Sequence, residues 1–313
     1  MAIDQKFINQ FASVTSKAAV ASYKLVGKKD KIAADKAAVD SMRNELNKLN
    51  VDGKIVIGEG ELDKAPMLYI GEKVGTTRGP KIDIAVDPLE GTNFAANNLP
   101  GALSVIAIAE KDNLFHAPET YMEKISSKVN EKGVIDLDHT VKENIFNLCE
   151  YLNKKPESIT ACILDRPRHK KIITEISKLG AKIKLISDGD VSGALLVTDE
   201  KYDVDIFLGI GGGPEGVLAA SALDSFNCVF QGRFLFDTEV DKLRANKMGI
   251  KNLTKKYELN EIVKGDTIFC ATGITSGDLV SGIKRENNEF ITETFVTHKS
   301  TGLKKIIKKI ENR

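Results

Sequence analysis

Two periodicities alternate along the chain. Residues 4–26 carry Ile8, Phe11, Val14 and Ala18 at three- and four-residue spacing, which predicts a helix with Asp4 near its start and Gly27 just past its end. After the charged Lys28-Lys-Asp-Lys31, a second helix is expected from Ile32 to Leu49, with Asp35 in its first turn. Ile55-Val-Ile57 reads as a short buried strand running into Gly58-Glu59-Gly60-Glu61; Glu61, Asp63 and Lys64 read as a solvated turn. Met67 to Val74 suits a strand or a short helix. From Lys81, apolar Ile82, Ile84 and Val86 alternate with Asp83, Ala85 and Asp87, the period of a strand. Pro88 has no N–H for a ladder, so that strand is expected to stop at Asp87. Residues 93–100 are polar and irregular, Leu103–Ala109 is apolar throughout like a central strand, and Val141–Leu152 is an amphipathic helix.

Lys154-Lys-Pro156 is the expected seam between two lobes, residues 1–155 and 156–313. Beyond it, Ile159–Leu164 is a strand, followed by the basic corner Asp165-Arg166-Pro167-Arg168-His-Lys-Lys171. A helix to Leu179 with Gly180 as its stop and the strand Lys182–Ile186 complete a βαβ unit, and Asp188-Gly189-Asp190 lies just past it. Residues 192–198 look helical. A strand from Asp205 to Gly209 runs into Ile210-Gly-Gly-Gly-Pro214-Glu215-Gly216, with a helix from Val217. Thr267–Ile274 and Phe290–Val296 are strands, and Leu303, Ile306, Ile307 and Ile310 have helical spacing in an edge element. Strands alternating with helices place the chain in the α/β class.

Composition narrows the function. Forty-five basic and 44 acidic residues leave a net charge of +1, so no global field points to nucleic acid or an anionic membrane. No apolar run approaches a membrane span, and no secretory h-region follows Asp4. Cys149, Cys162, Cys228 and Cys270 are scattered singly, as reduced thiols of a cytoplasmic protein would be. The four histidines are unclustered, which argues against a zinc site and His-based acid–base chemistry.

The chemistry gathers at strand ends, where ligands of open α/β sheets bind. Asp87-Pro-Leu-Glu90-Gly91-Thr92 presents two carboxylates, a glycine and a hydroxyl. Such a stretch can hold a divalent cation and offer the Gly91 and Thr92 amides to an anion. It can equally be a β-turn with Pro and Gly as ordinary turn residues. Glu59 ends a second strand, as a ligand or in an acidic turn. Asp35 favours a helix dipole or a metal. The basic corner opposes the dipole of the helix it opens, so an anion or solvent must favour it. The glycine run after residue 209 is neither a Walker A loop nor a dinucleotide fingerprint, and it sets Glu215 beside a phosphate or sugar site. Carboxylates without clustered His or Cys suit a hard cation, Mn²⁺ or Mg²⁺.

Asp87-Pro-Leu-Glu-Gly-Thr92, with Gly58-Glu59-Gly-Glu and Ala34-Asp35-Lys in that order, resembles the metal segments of the lithium-sensitive sugar-phosphatase superfamily. More closely, the chain is similar to class II fructose-1,6-bisphosphatases over nearly its full length. The matching runs include residues 27–38, 52–74 and 82–92, Tyr121-Met-Glu-Lys124, Arg166-Pro-Arg168-His169, Asp188-Gly-Asp190 and residues 209–217. The resemblance implies a layered αβαβα fold with two sheets sandwiched between helices. It implies Asp35, Glu59, Asp87, Glu90 and Glu215 as metal ligands. It also implies substrate contacts from Glu90, Gly91, Thr92, Tyr121, Arg166, Pro167, Arg168, Asp188, Gly189, Asp190 and Gly212. Two departures stand out. Arg166 occupies a position that is Lys in the family pattern, exchanging a point charge for a planar fork. The segment after Arg233 is shorter than in some relatives.

The activity implied is hydrolysis of the 1-phosphate of fructose 1,6-bisphosphate to fructose 6-phosphate in gluconeogenesis. Thr92 would orient the attacking water, relayed through Asp35, while Arg166 and Arg168 clamp the far phosphate and Asp188 and Asp190 accept sugar hydroxyls. The implied partner is a small sugar bisphosphate, with no nucleic acid or membrane, and the assembly a homo-oligomer (dimer or tetramer). The alternatives are a dual enzyme that also takes sedoheptulose 1,7-bisphosphate, an inositol or nucleotide 3′-phosphatase, or a metal-free sugar-phosphate sensor.

Overall fold

The structure, a computed structural model, describes residues 3–60 and 67–312. Glu61, Asp63 and Lys64, expected in a solvated turn, lie outside those residues. The chain divides into two units, one of Met1–His116 with Val263–Arg313 and one of Ala117–Ile262. The first unit begins with α1 (Lys6–Tyr23), α2 (Lys31–Leu46), β1 (Asp52–Ile57), β2 (Lys73–Val74), β3 (Lys81–Glu90), α3 (Thr92–Asn97) and β4 (Leu103–Glu110). The second unit comprises β5 (Tyr121–Ser127), α4 (Val141–Leu152), β6 (Thr160–Leu164), α5 (Lys170–Lys178), β7 (Lys182–Ile186), α6 (Asp190–Leu195) and β8 (Ile206–Gly212). It ends with α7 (Gly213–Leu223), β9 (Val229–Phe234), α8 (Glu239–Lys247), β10 (Lys256–Glu258) and α9 (Leu259–Ile262). The chain then returns to the first unit for β11 (Thr267–Gly273), β12 (Lys284–Glu286), β13 (Glu289–His298) and β14 (Leu303–Asn312).

In the first unit, the described strands form one eight-stranded sheet, ordered β12-β13-β11-β4-β3-β1-β2 with β14 on β13. Ile82, Ile84 and Val86 line one face of β3 and share a core with Phe7, Phe11 and Val14 of α1 and Met42 and Leu46 of α2. Each such side chain contributes about 1.5–3 kcal/mol by leaving water. Four local expectations are corrected here. Strand β3 does not stop at Asp87 but crosses Pro88. The register shifts between Asp87, opposite Val105, and Glu90, opposite Leu103, so proline falls where no ladder bond is needed. Residues 93–97 are helical, because Gly91 takes φ +77° and its carbonyl accepts from the Phe94 and Ala95 amides at 2.8 and 3.1 Å. Asp35 lies beyond the first turn of α2: Asp30 is the N-cap, accepting from the Ala33 amide at 2.9 Å, and the cap takes the dipole role. The C-terminus is a strand, not a helix, since β14 pairs with β13 along its whole length from Leu303 to Asn312.

The second unit has, among the described residues, a six-stranded sheet ordered β10-β9-β5-β8-β6-β7. β6, α5 and β7 form the expected βαβ unit, and β6 is parallel to both β7 and β8. β5 lies antiparallel between β8 and β9. That insertion moves the boundary away from Lys154–Pro156, for β5 shares a sheet with β6 to β10, while residues 263–313 rejoin the first unit. β8 also outlasts its expected end at Gly209. It pairs through Gly212 with Tyr121, and α7 starts at once at Gly213 instead of Val217. The α/β class with two sheets is what the structure shows, and no described helix is long and apolar enough to cross a membrane.

Candidate active site

In the first unit, the parallel pairing of β1 and β3 aligns Ile57 with Ala85. Glu59 and Asp87 therefore both lie two residues past the same level, at the carboxyl ends of neighbouring strands. Glu90 comes after Asp87 across the bulge and is buried at 4 % exposure. Gly91 is the left-handed N-cap of α3, where a Cβ would meet the Phe94 ring at 2.8 Å, and Thr92 is the first helical residue. Asp35 comes from α2, which packs on β3 and α3. Burial pushes the Asp35 carboxyl above its ordinary value, with no charge offsetting the push. Among the described residues, no three His, Cys, Asp or Glu side chains stand close enough to form a ready-made cation cage.

In the second unit, the site residues gather at the ends of β6, β7 and β8 and the start of β5. Tyr121 opens β5 and is 49 % exposed, with the Arg168 guanidinium over its ring at 4.8 Å. Arg168 donates from Nε and Nη2 to the Ile210 carbonyl at 2.9 and 2.8 Å, which holds the fork in one plane. Arg166 is differently engaged: it donates to the Asp165 and Ser187 carbonyls and pairs with Asp188 at 3.4 Å. Pro167 and Arg168 form a short 3-10 turn, while Gly189 takes φ +83° and lets Asp190 begin α6.

Two residues whose local roles the chain pattern did not reveal hold this cluster together. Lys124 is buried in β5, where it pairs with Asp190 and donates to the Gly212 carbonyl at 2.7 Å. In the sequence it follows Glu123 in Tyr121-Met-Glu-Lys-Ile125 like an ordinary charged residue, so no local signal marked it. His169 Nε2 accepts from the Ile210 amide at 2.7 Å while Nδ1 donates to the Leu164 carbonyl at 2.7 Å, tying the basic corner to β8. The glycines have steric reasons. A Cβ on Gly211 would strike the Asp190 carboxylate, and one on Gly212 would strike that of Glu215. Glu215, in the first turn of α7, is half-buried. Burial pushes its carboxyl up against the pull of the Lys124 ammonium, and Asp190 and Asp188 add to the push.

A family model described as bacterial fructose-1,6-bisphosphatase, glpX-encoded, matches residues 5–311. The chain is 42 % identical over 316 residues to fructose-1,6-bisphosphatase 1 class 2 of Escherichia coli (strain K12), covering 97 % of this chain and 93 % of that protein. It is 41 % identical over 308 residues to the D-fructose 1,6-bisphosphatase class 2/sedoheptulose 1,7-bisphosphatase of Prochlorococcus marinus (strain MIT 9515), covering 94 % and 92 % respectively. Among solved structures, the extragenic suppressor protein suhB of Bartonella henselae aligns at 13 % identity and a TM-score of 0.36, over 65 % of this chain and 81 % of its own.

Proposed function

From a chain that belongs to the glpX-encoded bacterial fructose-1,6-bisphosphatase family, we infer a phosphatase that hydrolyses fructose 1,6-bisphosphate at its 1-phosphate, releasing fructose 6-phosphate. The observation that supports this reading most directly is the Asp87–Thr92 segment. Its bulge and left-handed Gly91 deliver two carboxylates and a hydroxyl within one turn of chain.

Asp35, Glu59, Asp87, Glu90 and Glu215 are the residues to hold divalent cations. The donor set fits, being all oxygen and suited to Mn²⁺ or Mg²⁺. Burial raises the Asp35 and Glu215 carboxyls, and a nearby cation would reverse that. Bound there, the metal supplies charge neutralisation and a more acidic water. The chain's own groups do the rest. The Thr92 hydroxyl orients the attacking water and Asp35 takes the proton passed on from it. The Gly91 and Thr92 amides cradle the transferring phosphate. Arg168, held flat on Tyr121 by Ile210, meets the far phosphate and converts that remote contact into alignment. Arg166 acts chiefly on Asp188, which with Asp190 accepts hydrogen bonds from sugar hydroxyls.

The test is phosphate release from fructose 1,6-bisphosphate with Mn²⁺, with Mg²⁺, after chelation and with added lithium. Release that requires a divalent cation is expected. Silence under every condition would favour a non-catalytic sensor of sugar phosphates. The name of the Prochlorococcus relative favours running sedoheptulose 1,7-bisphosphate beside it, since comparable turnover of both would make this a dual enzyme. Gel filtration with light scattering tests the proposed homo-oligomer, and fractionation of cells its cytoplasmic location.

A further inference from the structure

Glu59 lies just past the end of β1, and bonds to residues 68–72 hold its backbone there. The Glu59 amide donates to the Leu68 carbonyl at 3.0 Å, and the Gly60 carbonyl accepts from the Ile70 amide at 2.9 Å. Within β1, the Ile55 amide donates to the Glu72 carbonyl at 2.9 Å and the Ile55 carbonyl accepts from the Gly71 amide at 2.8 Å. Leu68 turns the chain for this exchange in a left-handed conformation, φ +53°, with its side chain fully buried. Leucine disfavours that conformation, so its surroundings must enforce it. Gly58 is matched to the same turn, since a Cβ there would meet the Leu68 carbonyl oxygen at 2.0 Å.

The enforcing group is Glu72. One of its carboxylate oxygens accepts from the Leu68 amide, and the other accepts from Arg43 Nε at 2.5 Å. The Glu72 side chain is 5 % exposed and that of Arg43 is 37 % exposed, so the carboxylate is buried and the guanidinium reaches it from the surface. Without that cation the buried carboxylate would be uncompensated. Arg43 stands in the last turn of α2, the helix that also carries Asp35. One ion pair thus ties the helix of Asp35 to the segment that holds Glu59.

We propose that Arg43 and Glu72 are positioning residues for cation binding, clamping Leu68 so that Glu59 keeps a fixed relation to Asp35. The inference rests on the reading of Asp35 and Glu59 as ligands of a divalent cation. Arg43 and Glu72 act through Leu68 and α2, setting the ligands in place before the ion arrives.

The test is Mn²⁺ binding to the full chain without substrate, followed by the electron paramagnetic resonance signal of the free ion. Arg43→Met and Glu72→Gln should each raise the dissociation constant about tenfold or more, the usual effect of losing a group that orients a metal ligand. Arg43→Lys keeps the charge and should recover most of the affinity. Lys17→Met is the control. It removes another ion pair of α2, Lys17 with Glu45 at 2.8 Å, which does not reach the Glu59 segment, and should leave Mn²⁺ affinity unchanged. Unchanged affinity in folded Arg43→Met and Glu72→Gln overturns the proposal and leaves the pair a stabilising contact only. Equal weakening by Lys17→Met overturns it as well, because any loosening of α2 would then suffice. Arg43 is at the surface, so Arg43→Met decides the matter if Glu72→Gln does not fold. Glu59→Gln separates the two readings. If that variant binds Mn²⁺ as the parent does, the ligand reading falls and the clamp's role with it. If it binds poorly while the Arg43 and Glu72 variants bind normally, the clamp alone fails.

Discussion

Replacing Lys124 with methionine keeps the apolar stem of the side chain and removes its ammonium. That side chain is 1 % exposed, and its partner Asp190 is 9 % exposed. Asp190 Oδ1 already has no hydrogen-bond partner among the described residues, so without Lys124 the carboxylate would be buried and uncompensated. Breaking one side of a buried pair costs about 3–5 kcal/mol. The Gly212 carbonyl, which accepts from Lys124 at 2.7 Å, loses a donor as well, adding about 1 kcal/mol. The sum approaches the whole stability of an ordinary domain, about 5–15 kcal/mol. For a unit of this size it corresponds to a fall in Tm of roughly 8–20 °C. Urea and thermal unfolding followed by circular dichroism read it directly. The double variant Lys124→Met/Asp190→Leu removes both charges and should recover most of the loss, while catalysis stays impaired because Asp190 is gone. A Lys124→Met cost below about 1 kcal/mol, or a double variant no more stable than the single one, would refute the buried-pair argument.

Other expectations are as direct. Thr92→Ala should leave the unfolding midpoint and cation binding in place and lower kcat by about 10²–10⁴, the usual scale for a lost proton-transfer or positioning group; near-normal kcat would remove Thr92 from the water. Arg168→Lys forfeits both the stack on Tyr121 and the fork on Ile210, so KM should rise about tenfold, and Arg166→Lys should raise it far less. Equal effects in the two variants would contradict the division of labour between them. Burial pushes the His169 imidazole below its ordinary value, and Nε2 must stay unprotonated to accept from Ile210. The unfolded chain therefore takes up this proton at higher pH than the folded one. His169 contributes its stability above about pH 6.5 and loses it as pH falls through the folded value. The stability gap between the parent and His169→Phe should shrink steadily from about pH 7.5 to 5, and a gap that widens on acidification would show the sign to be wrong.

What the chain pattern revealed and what it hid separate along physical lines. Val141–Leu152 is a helix with the expected bounds, for its apolar face and its Thr140–Glu143 capping box are both local. Lys182–Ile186 is likewise a strand with the expected bounds. The C-terminal segment misled because Leu303, Ile306, Ile307 and Ile310 mimic helical spacing. Its strand conformation comes from β13, and Ile310 stays 64 % exposed on the edge strand, so burial left little imprint on the sequence. The domain boundary was illegible because a discontinuous unit leaves no mark at the point where its chain resumes. The buried Lys124 is a further case, since its partner Asp190 is far along the chain and nothing near Lys124 announces it.

The glycine run from residue 211 changes meaning most. In the sequence it looked like a turn made to lay backbone amides against an anion. In the structure Gly211 and Gly212 are still within β8, and the space their missing side chains leave is filled by the Asp190 and Glu215 carboxylates. A strand end that already faces two of the protein's own acids is a poor place for a phosphate and a good one for a cation or a sugar hydroxyl. On the proposed reading, a phosphate bound in this unit would fall to the side with positive charge. There Arg168 is the better placed of the two arginines, because its bonds to Ile210 use Nε and Nη2 and leave Nη1 to donate outward. The same reasoning gives Lys124 its role: with acids packed against both glycines, a buried ammonium between Asp190 and the Gly212 carbonyl keeps the strand end from repelling itself apart.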